Sequence, residues 1–346
     1  MGVNALQTES VKRAKLRLVA FLITWAVLAA SRAVTGATMA QGVVAPTQPI
    51  PMPLSPDPAA LPEWAAESAK ELVAAGLVSV SAESPAAPTR GDFMALAVAC
   101  AGRSTDGWVR SLRRESVIVG RPDGSLHLDD PITRGEATAF LIKLLQVEPE
   151  GSALGLHLKD GLPSGPAPAD IAGHWSATYF LDALRWGLVR SPPDGLLRPD
   201  ARVSTAEALT LAGRFLHAGE GLMPLQTDLP QNAALVRTAE AHVRAFTDVF
   251  SREPYDFAPL LATCTGQAHS LIAQNSRYYL GRYSLGTRFK FELLSFSGQV
   301  TARSLFLATV TTREKMREYV DGKAEESEYE DRLDLRRVNG SWLIYR

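Results

Sequence analysis

Cysteine is scarce in this chain of 346 residues, which carries only Cys100 and Cys264. No disulfide framework can hold a chain of this size with two thiols, and both are expected to stay unpaired. An excess of charge is equally absent. Thirty-six basic residues face 37 acidic ones for a net charge of −1, which removes the electrostatic argument for nucleic acid or an anionic membrane surface. Any anion site must be local. No H-E-x-x-H, G-x-S-x-G or P-loop motif occurs, and the six histidines never stand at metal-ligand spacing. The expectation is no catalytic residue, no metal and no cofactor. What is there, 46% hydrophobic and 21% charged residues, is ordinary globular composition, long enough for two or three domains.

The apolar stretch LVAFLITWAVLAA from Leu18 runs for thirteen residues, short of the roughly 20 that cross a bilayer as a helix. Lys12, Arg13, Lys15 and Arg17 precede it and small residues follow it. That order marks residues 1–40 as a signal peptide, with cleavage near Ala37 or Ala40. The alternative is an uncleaved anchor, which would be the chain's contact with a membrane. Residues 41–60 hold six prolines and almost no charge, the composition of an extended linker.

One device then recurs in PTRGDFMALAVACA from Pro88, ITRGEATAFLIKLL from Ile132 and VSTAEALTLAGRFL from Val203. A hydroxyl residue precedes an acid by three places: Thr89 and Asp92, Thr133 and Glu136, Ser204 and Glu207. Such a pair can close a capping box, in which the hydroxyl takes the N–H three residues on and the acid returns to the cap's own N–H. From each cap, apolar residues return at offsets of four, seven, eight, eleven and twelve, the stripe of a helix packed on one face.

An earlier helix belongs to the same unit. Trp64 to Gly76 and Trp175 to Gly187 are both twelve residues, and Ser116 to Arg134 matches Gly187 to Thr205 at eighteen. The second match aligns Asp123-Gly124 with Asp194-Gly195, both read as turns. Trp64 and Trp175 open apolar stripes and are read as repeat-core anchors rather than sugar platforms. The RGD at residues 90–92 is part of a helix start, not an adhesion loop.

Arg90 and Arg134 sit just inside helix N-termini, where free N–H groups and the macrodipole favour an anion. A guanidinium there can grip a carboxylate through two parallel hydrogen bonds. The bland alternative is a solvated cation beside its own Asp92 or Glu136.

DIAGHW, GLV, PDG and ITRGEA resemble the S-layer homology (SLH) repeat of bacterial envelope proteins. The resemblance implies a pseudo-threefold, α-helical three-repeat bundle with units at residues 61–103, 104–146 and 170–217. It implies an exported protein at the bacterial cell wall or cell surface, with grooves that bind secondary cell-wall polysaccharide, often pyruvylated. The family's TRAE arginine maps to Arg90 and Arg134, while Thr205 takes its place in the third unit, where the anion grip is expected to be lost.

Residues 147–169 and 218–231 read as linkers. Residues 232–346 place helical patterns before the strand-like RFKFELLSFS, VTARSLFLATVTT, EYEDRLDLRRV and SWLIYR, with a turn at Asn339-Gly340. This order predicts a separate α+β domain with a curved antiparallel sheet, loosely similar to the nuclear transport factor 2-like fold. Polar residues that could line a pocket there are His269, Tyr278, Tyr279 and Asp331. The leading expectation is a noncatalytic anchor on wall polysaccharide with an outward C-terminal binding domain. The alternatives are an enzyme or small-ligand receptor in that domain, or a bundle that is only structural.

Overall fold

The computed structural model describes residues 57–79, 87–120, 123–148, 168–220 and 230–346. The signal segment lies outside these residues, as do most of the linkers at 41–60, 147–169 and 218–231. The described residues form an α+β structure. Helices α1 (Glu63–Ala74), α2 (Arg90–Cys100), α3 (Trp108–Arg114), α4 (Arg134–Gln146), α5 (Ala177–Arg185) and α6 (Thr205–Leu216) come first. Helices α7 (Pro230–Val249), α8 (Ala258–Leu261) and α9 (Gly266–Ser284) precede strands β1 (Phe289–Arg303), β2 (Leu307–Val320), β3 (Lys323–Val338) and β4 (Ser341–Ile344).

Local chemistry sets the helix boundaries. The capping boxes of α2, α4 and α6 form in full: Thr89, Thr133 and Ser204 accept from the backbone of Asp92, Glu136 and Glu207, whose carboxylates accept from the caps in return. Every residue of the expected stripes is buried except Leu211, which is half-buried while Leu209 is buried fully. The turns that end α1, α3 and α5 all place a residue in the left-handed region: Gly76 (φ 69°), Ser116 (φ 60°) and Gly187 (φ 71°). Eleven residues on, His127 and Arg198 also share a positive φ. The second and third units therefore share these two left-handed positions despite different side chains.

The strands form an antiparallel meander in the order β1-β2-β3-β4. Two-residue turns at Asp321-Gly322 and Asn339-Gly340 close the second and third hairpins, each residue at positive φ, which suits the twist of paired strands. Register shifts between Leu293 and Ser295 and between Val300 and Ala302 bend β1. The expectation of one strand through residues 300–312 is corrected. The chain turns at Ser304, whose hydroxyl accepts from the N–H groups of Phe306 and Leu307.

That turn carries Phe306 into the repeat helices. Leu305, Phe306, Leu307 and Tyr345 belong to the same buried cluster as α1 to α6, and Phe306 stacks on Phe215 at 5.0 Å. The C-terminal region is thus not insulated from the repeats. It caps the ends of their helices: the Ser304 hydroxyl donates to Leu216 O (2.7 Å) and Leu305 N–H to Ala218 O (3.0 Å). Arg336 of β3, 6% exposed, donates to Ala75 O (3.0 Å) just past α1 and Ala99 O (2.6 Å) in the last turn of α2. Two helix C-termini, each with partial negative charge, stand in for a carboxylate. Burial pulls the guanidinium down to about 10, so it stays charged at neutral pH. Gly102 (φ 68°) must be glycine on two counts, since a Cβ there would also meet the carbonyl of Arg337.

Candidate functional site

The opposite ends, where α2 and α4 begin, gather the sequence-predicted arginines. Each start is met by the loop of the next unit. Arg90 N–H donates to Asp130 O (2.8 Å) and Gly91 N–H to Leu128 O (2.7 Å); Arg134 N–H donates to Ala201 O (2.9 Å) and Gly135 N–H to Pro199 O (2.8 Å). The acceptors are the same positions of successive units. The close approach explains the glycine of TRGD and TRGE, because a Cβ on Gly91 would lie 3.2 Å from Leu128 O and one on Gly135 3.2 Å from Pro199 O. It also corrects the expectation of free helix N–H groups. The first two donors go to loop carbonyls and the third to the cap hydroxyl, so an anion can be held here by guanidinium alone.

Neither arginine pairs with the acid of its own cap. Arg90 forms an ion pair with Glu136 of the second unit, and its Nε donates to Leu126 O (3.2 Å). Arg134 faces Glu207 of the third unit at 3.5 Å. Both side chains are partly exposed, at 16% and 20%. Arginine of one unit thus reaches the capping acid of the next, twice over. Arg134, with a longer contact, is the more readily recruited. The third unit has Thr205 in this position, and Asp92 is engaged by the Thr89 N–H and hydroxyl.

Trp64 and Trp175 are not core anchors; they are 56% and 58% exposed. The core positions are their successors, Ala65 and Ser176, both fully buried. On α1 the buried stripe runs Ala65, Ala69, Leu72, and one residue of displacement turns Trp64 about 100° away from it. Trp175 lies in the turn before α5, between His174 (5.6 Å) and Tyr179 (6.4 Å). His174 caps that turn through Ser176 Oγ (2.7 Å) and reaches Asp200 (3.3 Å). A Cβ on Gly135 would lie 2.9 Å from Ser176 Oγ, so the turn that carries Trp175 packs, through its neighbour Ser176, against the start of α4. Asp123 and Asp194 form turns by accepting from the N–H two residues on. The RGD aspartate is spent in its capping box.

In the C-terminal region Tyr279 and Asp331 are buried, Tyr278 is 46% exposed, and His269 stands at the other end of α9. Burial lifts Asp331 to about 7, helped by the charge of Glu314, and also lifts Glu314 itself. Sequence reasoning missed Glu314 and Glu318; alternation along β2 with Val310 and Met316 was the available signal. Cys100 and Cys264 are free and buried, and burial pushes both thiols up to about 12. Among the described residues no group of three or more His, Cys, Asp or Glu could hold a metal ion, and no helix is long and apolar enough to cross a membrane.

No family model matches the chain. The chain is 32% identical over 130 residues to a cellulosome-anchoring protein of Acetivibrio thermocellus, covering 36% of this chain and 27% of that protein. It is 34% identical over 105 residues to cell surface glycoprotein 1 of the same organism, covering 30% of this chain and 4% of the relative. The crystal structure of the intermembrane space region of chloroplast protein ARC6 aligns with 32% of this chain and 91% of that one, at 17% identity and a TM-score of 0.28, too slight a likeness to carry an argument. The chain spans about a quarter or less of the curated relatives it matches, and over about a third of its own length it is similar to cell-surface proteins, one of them an anchoring protein.

Proposed function

We propose that this chain is an exported envelope protein, held noncovalently to secondary cell-wall polysaccharide by three SLH repeats arranged about a pseudo-threefold axis, with the C-terminal region presented outward for binding. The observation that carries the reading is the pair of partly exposed arginines, each held against the next unit's capping acid. A carboxylate on the polymer, such as a pyruvyl ketal, would displace Glu207 from Arg134 and accept two parallel hydrogen bonds. The indole of Trp175 offers an apolar face for the adjoining sugar ring. Arg90 is the second grip, weaker because its Nε is already bonded to Leu126 O. Modest contacts on one polymer add through effective concentration, and their ionic part weakens with salt. No catalytic step enters this reading.

The test is cosedimentation of the full chain with purified sacculi, before and after the secondary polymer is stripped, beside an Arg90→Ala/Arg134→Ala double variant. The full chain is required because the repeats share buried residues with the C-terminal region. Pelleting that needs both polymer and arginines is expected; equal pelleting on stripped sacculi would overturn the assignment. A second reading, a small-ligand receptor in the C-terminal region, is favoured by the buried carboxylates of β2 and β3.

A further inference from the structure

Among the described residues the other buried acids, Asp334 and Glu148, have basic partners. Asp334, 4% exposed, is met by Arg332 (3.0 Å), Arg346 (2.9 Å) and the Thr309 hydroxyl (2.7 Å). Glu148 faces Arg337 and Arg103, and the half-buried Glu71 faces His217. Three residues before Asp334, on the other face of β3, the rule fails.

That other face is turned toward α7 and α9. Alternation places Val310, Thr312, Glu314, Met316 and Glu318 of β2 beside Leu333, Asp331 and Tyr329 of β3. Val310 packs with Leu235 and Ala239 of α7, and a Cβ on Gly298 of β1 would lie 3.1 Å from Val236 of the same helix. Glu314, Glu318 and Asp331 are 3%, 8% and 7% exposed. The Thr312 hydroxyl donates to Glu314 (2.7 Å) and the Tyr329 hydroxyl to Glu318. Asp331 Oδ2 is buried and meets no hydrogen-bond partner. None of the three forms an ion pair among the described residues. Apolar packing flanks this face: one buried cluster gathers around Leu235, Val300 and Val310, a second around Phe250, Tyr279 and Phe291, and Ile272 packs against both.

A buried acceptor without a donor costs free energy and asks for an explanation. Three acids on one face with no cation ask for the same one. A metal ion fits poorly, because Glu314 and Glu318 stand four residues apart along a strand, roughly 13 Å at the usual rise. An organic cation fits better. It needs one or two carboxylates and gains from aromatic faces, which Tyr329 can supply: it stands opposite Glu314 across β2 and β3, and its hydroxyl donates to Glu318.

We propose that Asp331 and Glu314, flanked by Tyr329, form a binding site for an organic cation, a protonated amine or a guanidinium, between the sheet and helices α7 and α9. The bound group donates to Asp331 Oδ2 and shares its charge with Glu314. The proposal deepens the receptor reading of the C-terminal region and rests on that reading. It does not depend on wall attachment.

The test is ligand-observed saturation-transfer NMR on the full chain at about pH 8.5, above the value of about 7 to which burial lifts Asp331. The probes are n-butylammonium, n-butylguanidinium, neutral n-butanol and a short lysine-containing peptide. Transfer from at least one of the two small cations and not from n-butanol is expected, with at least about a tenfold loss of affinity in Asp331→Asn. Transfer from the peptide in addition would name a protein side chain as the source; its absence would name a free amine. Glu314→Gln is the second variant and carries the same expectation should Asp331→Asn fail to fold. No transfer from any cation, or equal transfer from the variants, overturns the proposal. Pelleting on sacculi, measured on the same samples, reports separately on the anchor.

Discussion

At their starts, helices α2 and α4 are dressed in solvent-facing chemistry: capping acids, loop carbonyls from the next unit, and arginines that remain partly exposed. At their ends, α1, α2 and α6 are closed by the C-terminal region through a buried guanidinium, a buried hydroxyl and backbone hydrogen bonds. Two kinds of arginine thus meet the helices, Arg134 on α4 itself and Arg336 reaching in from β3. Arg336 can hardly be exchanged for a ligand, because releasing it would strand two carbonyls inside the protein. Arg134 can, because its carboxylate partner is side-chain-borne and near water. The proposed recognition falls where partners are replaceable, and cohesion where they are not.

The sharpest break of that comparison is a pair of deletions. Arg336→Ala is expected to lower stability by about 3 kcal/mol or more in urea unfolding, since two charged-donor bonds vanish and two buried carbonyls lose their partner. Arg90→Ala should cost no more than about 1 kcal/mol, as partly exposed ion pairs do. Equal costs would erase the distinction between the two ends.

Glycine substitutions sharpen it next. Gly102→Ala meets both a positive φ and the Arg337 carbonyl, and a loss of roughly 2–3 kcal/mol is expected. Gly124 has a similar φ (79°) but open space around its Cβ position, so Gly124→Ala should cost only about 1 kcal/mol. The difference between these two melting shifts measures the joint rather than the turn.

Acidity tests the same end of the helices. The hydrogen bond and charge of Glu71 hold His217 above the ordinary imidazole range, with Glu220 assisting. A raised folded-state value stabilises fully below the unfolded pKa near 6.5 and loses that contribution as pH rises through the folded value. Wild-type stability should therefore fall more steeply than that of His217→Gln as pH rises above about 6.5, by a small amount because the ring is partly exposed. Identical slopes would remove His217 from the joint. The smallest stability effect belongs to Trp64→Ala and Trp175→Ala, each expected within about 0.5 kcal/mol of wild type. Pelleting on sacculi should nonetheless weaken for Trp175→Ala, and a large melting shift would return these indoles to the core.

What could be read from sequence divides by range. The boxes at Thr89, Thr133 and Ser204 were legible because both halves lie within one turn of helix, and so was the turn at Asn339-Gly340. Asp321-Gly322 carried an equally good signal that went unread, hidden among charged residues on both sides. The break at Ser304 was illegible locally, because Leu305 and Phe306 look like strand residues and are turned aside by a cavity that the repeats provide. The partners of Arg90 and Arg134 lie 46 and 73 positions away. No spacing rule reaches that far, and the intra-helix acid was the nearer guess. The tryptophans were misplaced by one residue, which on a helix is a change of face.

The seal between the repeats and the sheet also has a mechanical side. A protein that holds a polymer at one end and something else at the other is loaded along the line joining them. In many two-part chains such a load is taken up by a flexible connector. Here Arg336, Ser304 and Tyr345 bridge the two parts directly, in parallel with the covalent segment between α6 and α7. Tension between the two parts would bear on this clamp, and the hydrogen bonds at the helix ends would have to rupture before the parts could separate.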